Sequence, residues 1–142
     1  MDFDSGGSNL GPPSKGKEKI LFVDDEELFG RMGSRMLELQ GYHVTYKTDS
    51  TEALELFRFQ PRHFDLVITD HNMPGMTGLE LAQNLLALRP DIPIILCTAS
   101  SLITEQEALA QGIGKFMMKP FDSAHLTRTI RTMLDKKQAN SA

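Results

Sequence analysis

Several short apolar runs in the sequence end on residues that could do chemistry. One run is followed by the acidic pair Asp24-Asp25, another by Asp70, and two later runs end at Thr98 and at Lys119. Taken singly, an acidic pair after a strand is more often a helix cap or a solvated turn, and a lysine before proline is usually a surface charge. The same placement at four runs favours one shared site.

Three carboxylates held together would repel one another by roughly 1–4 kcal/mol per pair at 4 Å. Such a cluster is stable only with a proton or a bound cation, and oxygen ligands favour a hard ion, Mg²⁺ best of all. The Lys119 ammonium would leave positive charge for an anionic group, of which a phosphoryl group is the obvious candidate. Metal, lysine and hydroxyl together suit phosphoryl transfer, and a carboxylate nucleophile would then form an acyl phosphate.

The elements that must position these groups alternate along the chain. Three apolar runs, at 20–23, 66–68 and 94–97, are nearly continuous and are typical of strands covered on both faces. Segments with helical spacing separate the runs, which predicts a doubly wound parallel α/β sheet. In such a sheet, ligands bind beyond the carboxyl ends of the strands. The predicted strands are 19–23, 43–47, 65–69, 93–98 and 115–119.

The helical segments carry apolar stripes that we assign to the core. In the first, Leu28, Met32, Met36 and Leu39 are spaced as one helix face. Predicted starts of the later helices are Ser50 as a cap, Thr77 or Gly78, residue 104, and Asp122 or Ser123 as a cap.

Composition places the chain among soluble globular domains. Its 142 residues suffice for one domain, and a net charge of −4 argues weakly against nucleic acid as a partner. Without a long apolar stretch or a signal-like start, we expect a cytoplasmic protein that contacts no membrane. Residues 1–17 are expected to be a disordered lead or linker, 18–136 the domain, and 137–142 a flexible tail. Cys97, the single cysteine, is expected to be a buried hydrophobe.

Two motifs are weak candidates for chemistry. "GPPSKGKE" at 11–18 imitates a phosphate-binding loop, but Glu18 replaces the required Ser or Thr and a strand follows where a helix should. The four histidines, His43, His63, His71 and His125, lack metal-ligand spacing, and His71 beside Asp70 is expected to be a loop side chain.

The segments "ILFVDDEE", "VITDHNMPGMTGLEL", "IILCTAS" and "KFMMKPF" resemble those of the receiver domains of two-component response regulators (CheY-like). The resemblance covers residues 18 to about 136 and keeps the order and spacing of the motifs. It implies a flavodoxin-like (βα)5 three-layer sandwich, with five parallel strands in the order 2-1-3-4-5.

The resemblance also implies a role for each acidic residue. Asp70 corresponds to the phospho-acceptor, which takes a phosphoryl group from the phosphohistidine of a sensor kinase or histidine phosphotransfer protein. Asp25, Asp70 and the backbone carbonyl of Asn72 correspond to direct Mg²⁺ ligands, and Asp24 to a ligand acting through water.

The remaining roles concern switching. Lys119 corresponds to the lysine that pairs with the acceptor and then with the phosphate, often before a cis peptide bond to Pro120. Thr98 corresponds to the switch hydroxyl and Phe116 to the switch aromatic, here without the hydroxyl of a tyrosine. The face built by the fourth helix, fifth strand and fifth helix would then bind a downstream protein or a second copy.

Alternatives remain at this point. The chain could be a binding module of the same fold that acts without phosphorylation, or the receiver part of a hybrid histidine kinase. A hydrolase using an aspartyl phosphate is disfavoured because Asn72 replaces the acid expected two residues after the nucleophile. We therefore expect no enzyme activity beyond the domain's own phosphorylation and dephosphorylation.

Overall fold

The protein forms five strands and five helices that alternate along the chain. The structure is a computed structural model that describes residues 18–100 and 102–141. Its strands are β1 (Lys19–Val23), β2 (His43–Lys47), β3 (Leu66–Asp70), β4 (Ile94–Thr98) and β5 (Lys115–Met118). Its helices are α1 (Glu27–Leu39), α2 (Ser50–Phe59), α3 (Gly78–Leu88), α4 (Glu105–Ala110) and α5 (Ser123–Ser141). The lead predicted for residues 1–17 lies outside the described residues.

All neighbouring strands are parallel, and their order across the sheet is β2-β1-β3-β4-β5. This confirms the predicted fold class and strand order. Every residue of β3 and β4 is buried, as the continuous apolar runs predicted. Asp70, expected just after its strand, is the last residue of β3 and pairs with Cys97 of β4.

Alternate residues of the central strands pack into two separate cores. Leu21 and Val67 face α2, α3 and α4, whereas Ile20 and Ile68 face α1 and α5. The two cores give the sandwich its three layers. Because side chains alternate, the face on which each strand's last residue lies follows from the same register.

Helix α1 contradicts the prediction for its apolar stripe. Leu28, Met32 and Leu39 are exposed at 74%, 63% and 72%, whereas Gly30, Ser34 and Leu37 are buried. The reason lies in the sheet beneath, because an added Cβ at Gly30 would collide with the ring of Tyr46 and one at Gly33 with that of Phe22. Rings from the strands fill this space, so Gly30 and Gly33 face inward, whereas Leu28, Met32 and Leu39 face outward. Met36, half-buried, is the one member of that stripe that packs against the core.

The helix ends differ from the predictions in two places. Asp49, not Ser50, caps α2, because its carboxylate accepts from the amide of Thr51 at 3.2 Å. Helix α3 begins at Gly78, one of the two predicted starts, and Thr77 caps it in a reciprocal box with Glu80. Helix α5 continues to Ser141, into the segment expected to be a tail, and Lys137 forms an ion pair with Asp91 at 3.1 Å.

Across 18–100 and 102–141, none of the helices has the length and apolar character needed to cross a bilayer.

Candidate functional site

Asp24 and Asp25 follow directly on β1 at the carboxyl edge of the sheet. The amide of Asp24 donates to the carbonyl of Lys47 at 3.0 Å, and the hydroxyl of Tyr46 donates to the carbonyl of Asp24 at 2.7 Å. One carboxylate oxygen of Asp24 accepts from the amide of Glu26 at 2.9 Å. Asp24 is therefore fixed and buried, whereas Asp25 is exposed.

Asp70 is presented at the end of β3 by a backbone that cannot shift far. The next amide, of His71, donates to the carbonyl of Cys97 at 2.8 Å, and the carbonyl of His71 accepts from the amide of Gly78 at 2.9 Å. A Cβ at Gly78 would collide with the carbonyl oxygen of Asp70, so only glycine lets α3 begin this close. The Asp70 side chain is 4% exposed.

The three carboxylates form one cluster that suits a hard cation. One oxygen each from Asp24, Asp25 and Asp70 lies within 4.8 Å of the others. All three ligand atoms are carboxylate oxygens, which Mg²⁺ and Ca²⁺ prefer, and exposed Asp25 leaves the cluster open to water. The residues therefore fit a divalent ion. The structure brings the predicted ligands Asp24, Asp25 and Asp70 together, and the role of the Asn72 carbonyl stays a prediction.

Lys119 enters this cluster from the loop after β5, as predicted. Its ammonium nitrogen lies 2.9 Å from Asp24 Oδ2 and 3.4 Å from Asp70 Oδ1, with the side chain only 7% exposed. Its backbone amide donates to the carbonyl of Thr98 at 2.8 Å. The Lys119-Pro120 peptide bond is cis, as the resemblance implied.

Burial and neighbouring charges shift the pKa values of this cluster. Burial raises the pKa of Asp70 to about 6, with the Asp24 charge adding to the rise and Lys119 opposing it. Burial also raises the pKa of Asp24, against the hydrogen bonds from Lys119 and the Glu26 amide. Burial alone would lower the pKa of Lys119, but its hydrogen bonds to Glu26 and Asp24 outweigh this and raise it. Asp70 is thus a carboxyl group that a cation would help to ionise.

Thr98 ends β4 with its side chain fully buried. Its hydroxyl oxygen accepts from the amide of Ser100 at 2.9 Å and from the side-chain amide of Asn72 at 3.4 Å. Phe116 of β5 pairs with Leu96 of β4 and packs, half-buried, against the core facing α4. Thr98 and Phe116 therefore lie on the same face of adjacent strands.

The other reactive side chains near the cluster have structural partners. His71 accepts the amide of Leu79 at 3.3 Å through Nδ1, and burial lowers its pKa. Cys97 is buried, as predicted, and burial raises the pKa of its thiol. His43, His63 and His125 lie exposed and apart from the cluster. Of the imitation loop at 11–18, only Glu18 is described, and it accepts from Arg131 at 3.0 Å.

Two residues beside Lys119 were missed by the sequence analysis. Glu26 accepts from the Lys119 ammonium at 2.7 Å, and the ring centroid of Phe29 lies 4.3 Å from the same nitrogen. Both occur just after the acidic pair, which is the one signal that could have pointed to them.

Comparison with known proteins agrees with this geometry. The sequence model of the family described as "Response regulator receiver domain" matches residues 20–131. The chain belongs to the response regulator receiver domain family. It is 33% identical to the response regulator MprA of Mycobacterium leprae over 87% of this chain and 54% of that protein. The receiver domain spans about half or less of the curated relatives that it matches.

Solved receiver domains share its architecture. A response regulator receiver domain protein from Clostridium thermocellum superposes with a TM-score of 0.82 at 28% identity, over 86% of this chain and 98% of that one. A response regulator from Burkholderia pseudomallei, with a phosphorylated aspartic acid, a calcium ion and citrate, gives 0.72 at 28% identity over 88% and 73% of the two chains. The match to the family model and to these domains confirms the resemblance on which the site roles were predicted.

Proposed function

We propose that this receiver domain accepts a phosphoryl group on Asp70 from the phosphohistidine of a histidine kinase or phosphotransfer protein. The observation that carries the proposal is the position of Asp70. Its buried carboxylate shares a cluster within 4.8 Å with Asp24 and Asp25 and lies 3.4 Å from the Lys119 ammonium. The phosphorylated aspartic acid of the Burkholderia pseudomallei relative supports the same chemistry.

In the proposed transfer, a carboxylate oxygen of Asp70 attacks phosphorus and forms an acyl phosphate. The P–N bond to the donor histidine breaks, and the imidazole nitrogen keeps the electron pair and takes up a proton. Lys119 neutralises charge on the phosphoryl oxygens, for which a fixed ammonium in a buried site is effective. Mg²⁺, when bound, supplies positive charge; Asp24, Asp25, Asp70 and the carbonyl of Asn72 would hold it.

The phosphoryl group would change the site through Thr98. It adds about −1.5 to −2 charges and three acceptor oxygens, toward which a hydroxyl donor can turn. The space that Thr98 leaves lies on the face of Phe116, whose ring can fill it. This links the charge to the surface of α4, β5 and α5, where Leu109 and Met118 are 45% and 49% exposed.

On its α5 side, this surface adjoins a groove. This groove of about 780 Å³ runs between β5 and α5, and its lining includes Lys115, Arg128, Met133 and Lys136. We propose that a downstream protein or a second copy of the domain binds this surface. Cytoplasmic localisation, and the absence of direct contacts with nucleic acid or membrane, stay predictions.

Helix α1 offers the surface for the phosphoryl donor. Its exposed residues Leu28 and Met32 lie within two helical turns of the acidic pair, next to the edge of the sheet at which Asp70 lies. A donor protein must cover this edge to bring its histidine to Asp70. An apolar stripe beside the site therefore fits a helical donor that packs against α1.

The test of the proposed function is direct labelling. With Mg²⁺ and acetyl phosphate, the intact mass should rise by one phosphoryl group, and hydroxylamine should remove it. Asp70→Asn should abolish the label, whereas Asp65→Asn, outside the cluster, should keep it. Undiminished labelling of Asp70→Asn would contradict the assignment of Asp70 as the phosphorylated residue. We propose that the domain catalyses only this self-phosphorylation and the hydrolysis of its own acyl phosphate, in which water attacks phosphorus and inorganic phosphate leaves.

A further inference from the structure

The ammonium of Lys119 is bound more closely by other groups than by the acceptor. Its nitrogen lies 2.7 Å from Glu26 Oε1 and 2.9 Å from Asp24 Oδ2, but 3.4 Å from Asp70 Oδ1. An ammonium has three donors, and the two shortest contacts go to Asp24 and Glu26. In this state, Asp70 therefore holds the weakest of the three carboxylate contacts.

An aromatic ring completes the surroundings of this ammonium. The Phe29 centroid lies 4.3 Å from Lys119 Nζ, in the range in which a cation is attracted to a ring face. Phe29 is itself held edge-to-face by Phe121, with centroids 5.6 Å apart and an interplanar angle of 84°. Because Phe121 lies two residues after Lys119, the loop that carries the lysine also positions the ring that attracts it.

We propose that Glu26 and Phe29 form a resting clamp that holds Lys119 back from Asp70 and opens when a phosphoryl group arrives. The inference rests on the proposed phosphorylation of Asp70 and adds a control on it. Glu26 is a positioning residue, since it acts on the reaction only through Lys119. The exchange involves hydrogen bonds and no covalent bond.

Burial decides which carboxylate gives up the lysine. The Glu26 side chain is 65% exposed and can be hydrated again when it is released. Asp24 is 1% exposed, and loss of the ammonium would leave its buried charge with the hydrogen bond from the Glu26 amide as its remaining protein contact. Phosphoryl oxygens on Asp70 should therefore take the donor that now points to Glu26, while the bond to Asp24 stays.

The chain offers a matched control in the next residue. Glu27 is 64% exposed, carries the same charge, and contacts Arg31 at 3.4 Å instead of Lys119. Glu26→Gln and Glu27→Gln thus remove the same charge one residue apart, and only the first removes a contact of Lys119. Phe29→Leu removes the ring at unchanged charge, and Glu26→Asp keeps the charge on a shorter side chain.

The experiment measures the rate of labelling by acetyl phosphate and the affinity for beryllofluoride, both in the presence of Mg²⁺. In a separate sample without acetyl phosphate or beryllofluoride, NMR measures the rate of proton exchange at the Lys119 ammonium. Relative to Glu27→Gln, we expect Glu26→Gln to raise rate and affinity by about three- to tenfold. Phe29→Leu should raise the labelling rate and the affinity by about twofold. Glu26→Asp should give a rate and an affinity between those of Glu26→Gln and those of the wild type. Ammonium exchange should speed up in Glu26→Gln alone of the two glutamine variants.

Two outcomes separate the clamp from the proposed function. Equal rates for Glu26→Gln and Glu27→Gln, or a slower Glu26→Gln with normal unfolding, would overturn the clamp while wild-type labelling stands. If the wild-type domain takes up neither label nor beryllofluoride, phosphorylation of Asp70 itself is overturned, and the clamp with it.

Discussion

The side-chain amide of Asn72 donates a hydrogen bond to the hydroxyl oxygen of Thr98 across 3.4 Å, joining the loop after Asp70 to the end of β4. The same oxygen accepts from the amide of Ser100 at 2.9 Å. With both lone pairs engaged, Thr98 can still donate its hydroxyl proton, and a phosphoryl group on Asp70 would be an acceptor for it.

Replacing this hydroxyl should separate phosphorylation from switching. We expect Thr98→Val to be labelled within about threefold of the wild-type rate, because Lys119 and the carboxylates remain. Its Phe116 and α4 resonances should no longer shift when beryllofluoride binds, as measured by NMR. Thr98→Ser, which keeps the hydroxyl, is the control. Wild-type shifts in Thr98→Val would contradict a role of this hydroxyl in the switch.

The buried carboxyl group of Asp70 should make the free energy of unfolding depend on pH. The pKa of Asp70 is raised to about 6 in the folded state, above its ordinary value of 3.8. The stabilising contribution of the neutral carboxyl is therefore fully present below about pH 4 and is lost as the pH rises through 6. Asp70→Asn should raise the free energy of unfolding at pH 7.5 by about 1–3 kcal/mol, and by much less at pH 4.5.

Urea denaturation with a chelator present measures this difference. Glu55→Gln, an exposed substitution on α2, should stay within about 0.5 kcal/mol of wild type at both pH values. A gain for Asp70→Asn that is as large at pH 4.5 as at pH 7.5 would show that the buried charge is not its cause.

The close approach of α3 to the end of β3 should make Gly78 sensitive to a single added methyl group. A Cβ at Gly78 would meet the backbone of Asp70 and His71, which cannot move aside as a flexible side chain would. We expect Gly78→Ala to lower the free energy of unfolding by about 2–4 kcal/mol. Gly75 has a φ of +77° and open space around it, so Gly75→Ala should cost only about 1 kcal/mol. Equal losses in thermal or urea unfolding would contradict the steric explanation.

Substitutions in the exposed apolar stripe of α1 should slow phosphoryl transfer from protein donors but not from small-molecule donors. We expect the double variant Leu28→Gln with Met32→Gln to unfold within about 0.5 kcal/mol of wild type per site, because neither side chain is buried. Labelling by acetyl phosphate should be unchanged, while transfer from a phosphorylated histidine donor protein should slow by about tenfold. Phe59→Gln, an equally exposed apolar site on α2, is the control and should slow neither reaction.

The sheet was predictable because its strands carry strong local patterns. The runs at 20–23, 66–68 and 94–97 are apolar on both faces, and their ends place Asp24, Asp70 and Thr98 at one edge whatever the loops do. The site followed from the sheet, because residues at the ends of parallel strands meet there.

What sequence could not supply was the direction of α1 and the details of the loops. Ideal helical spacing is found for the stripe of Leu28, Met32, Met36 and Leu39. The inward face of α1 is nevertheless decided by the rings of Phe22 on β1 and Tyr46 on β2. The apolar pattern of one helix carries no information about the size of the side chains that it packs against. Likewise, the contact of Glu26 with Lys119 joins residues 93 positions apart and depends on the loop conformation after β1.

The amides of His71 and Lys119 are bonded to consecutive carbonyls of β4, those of Cys97 and Thr98, each at 2.8 Å. Both amides belong to loops, yet each continues a sheet ladder one residue beyond its strand. Their exchange with deuterium should therefore be far slower than that of their loop neighbours, since it requires the end of β4 to open. The backbone next to Asp70 and that of Lys119 thus depend on the same end of β4, and deuterium exchange at these two amides would report how often that end opens.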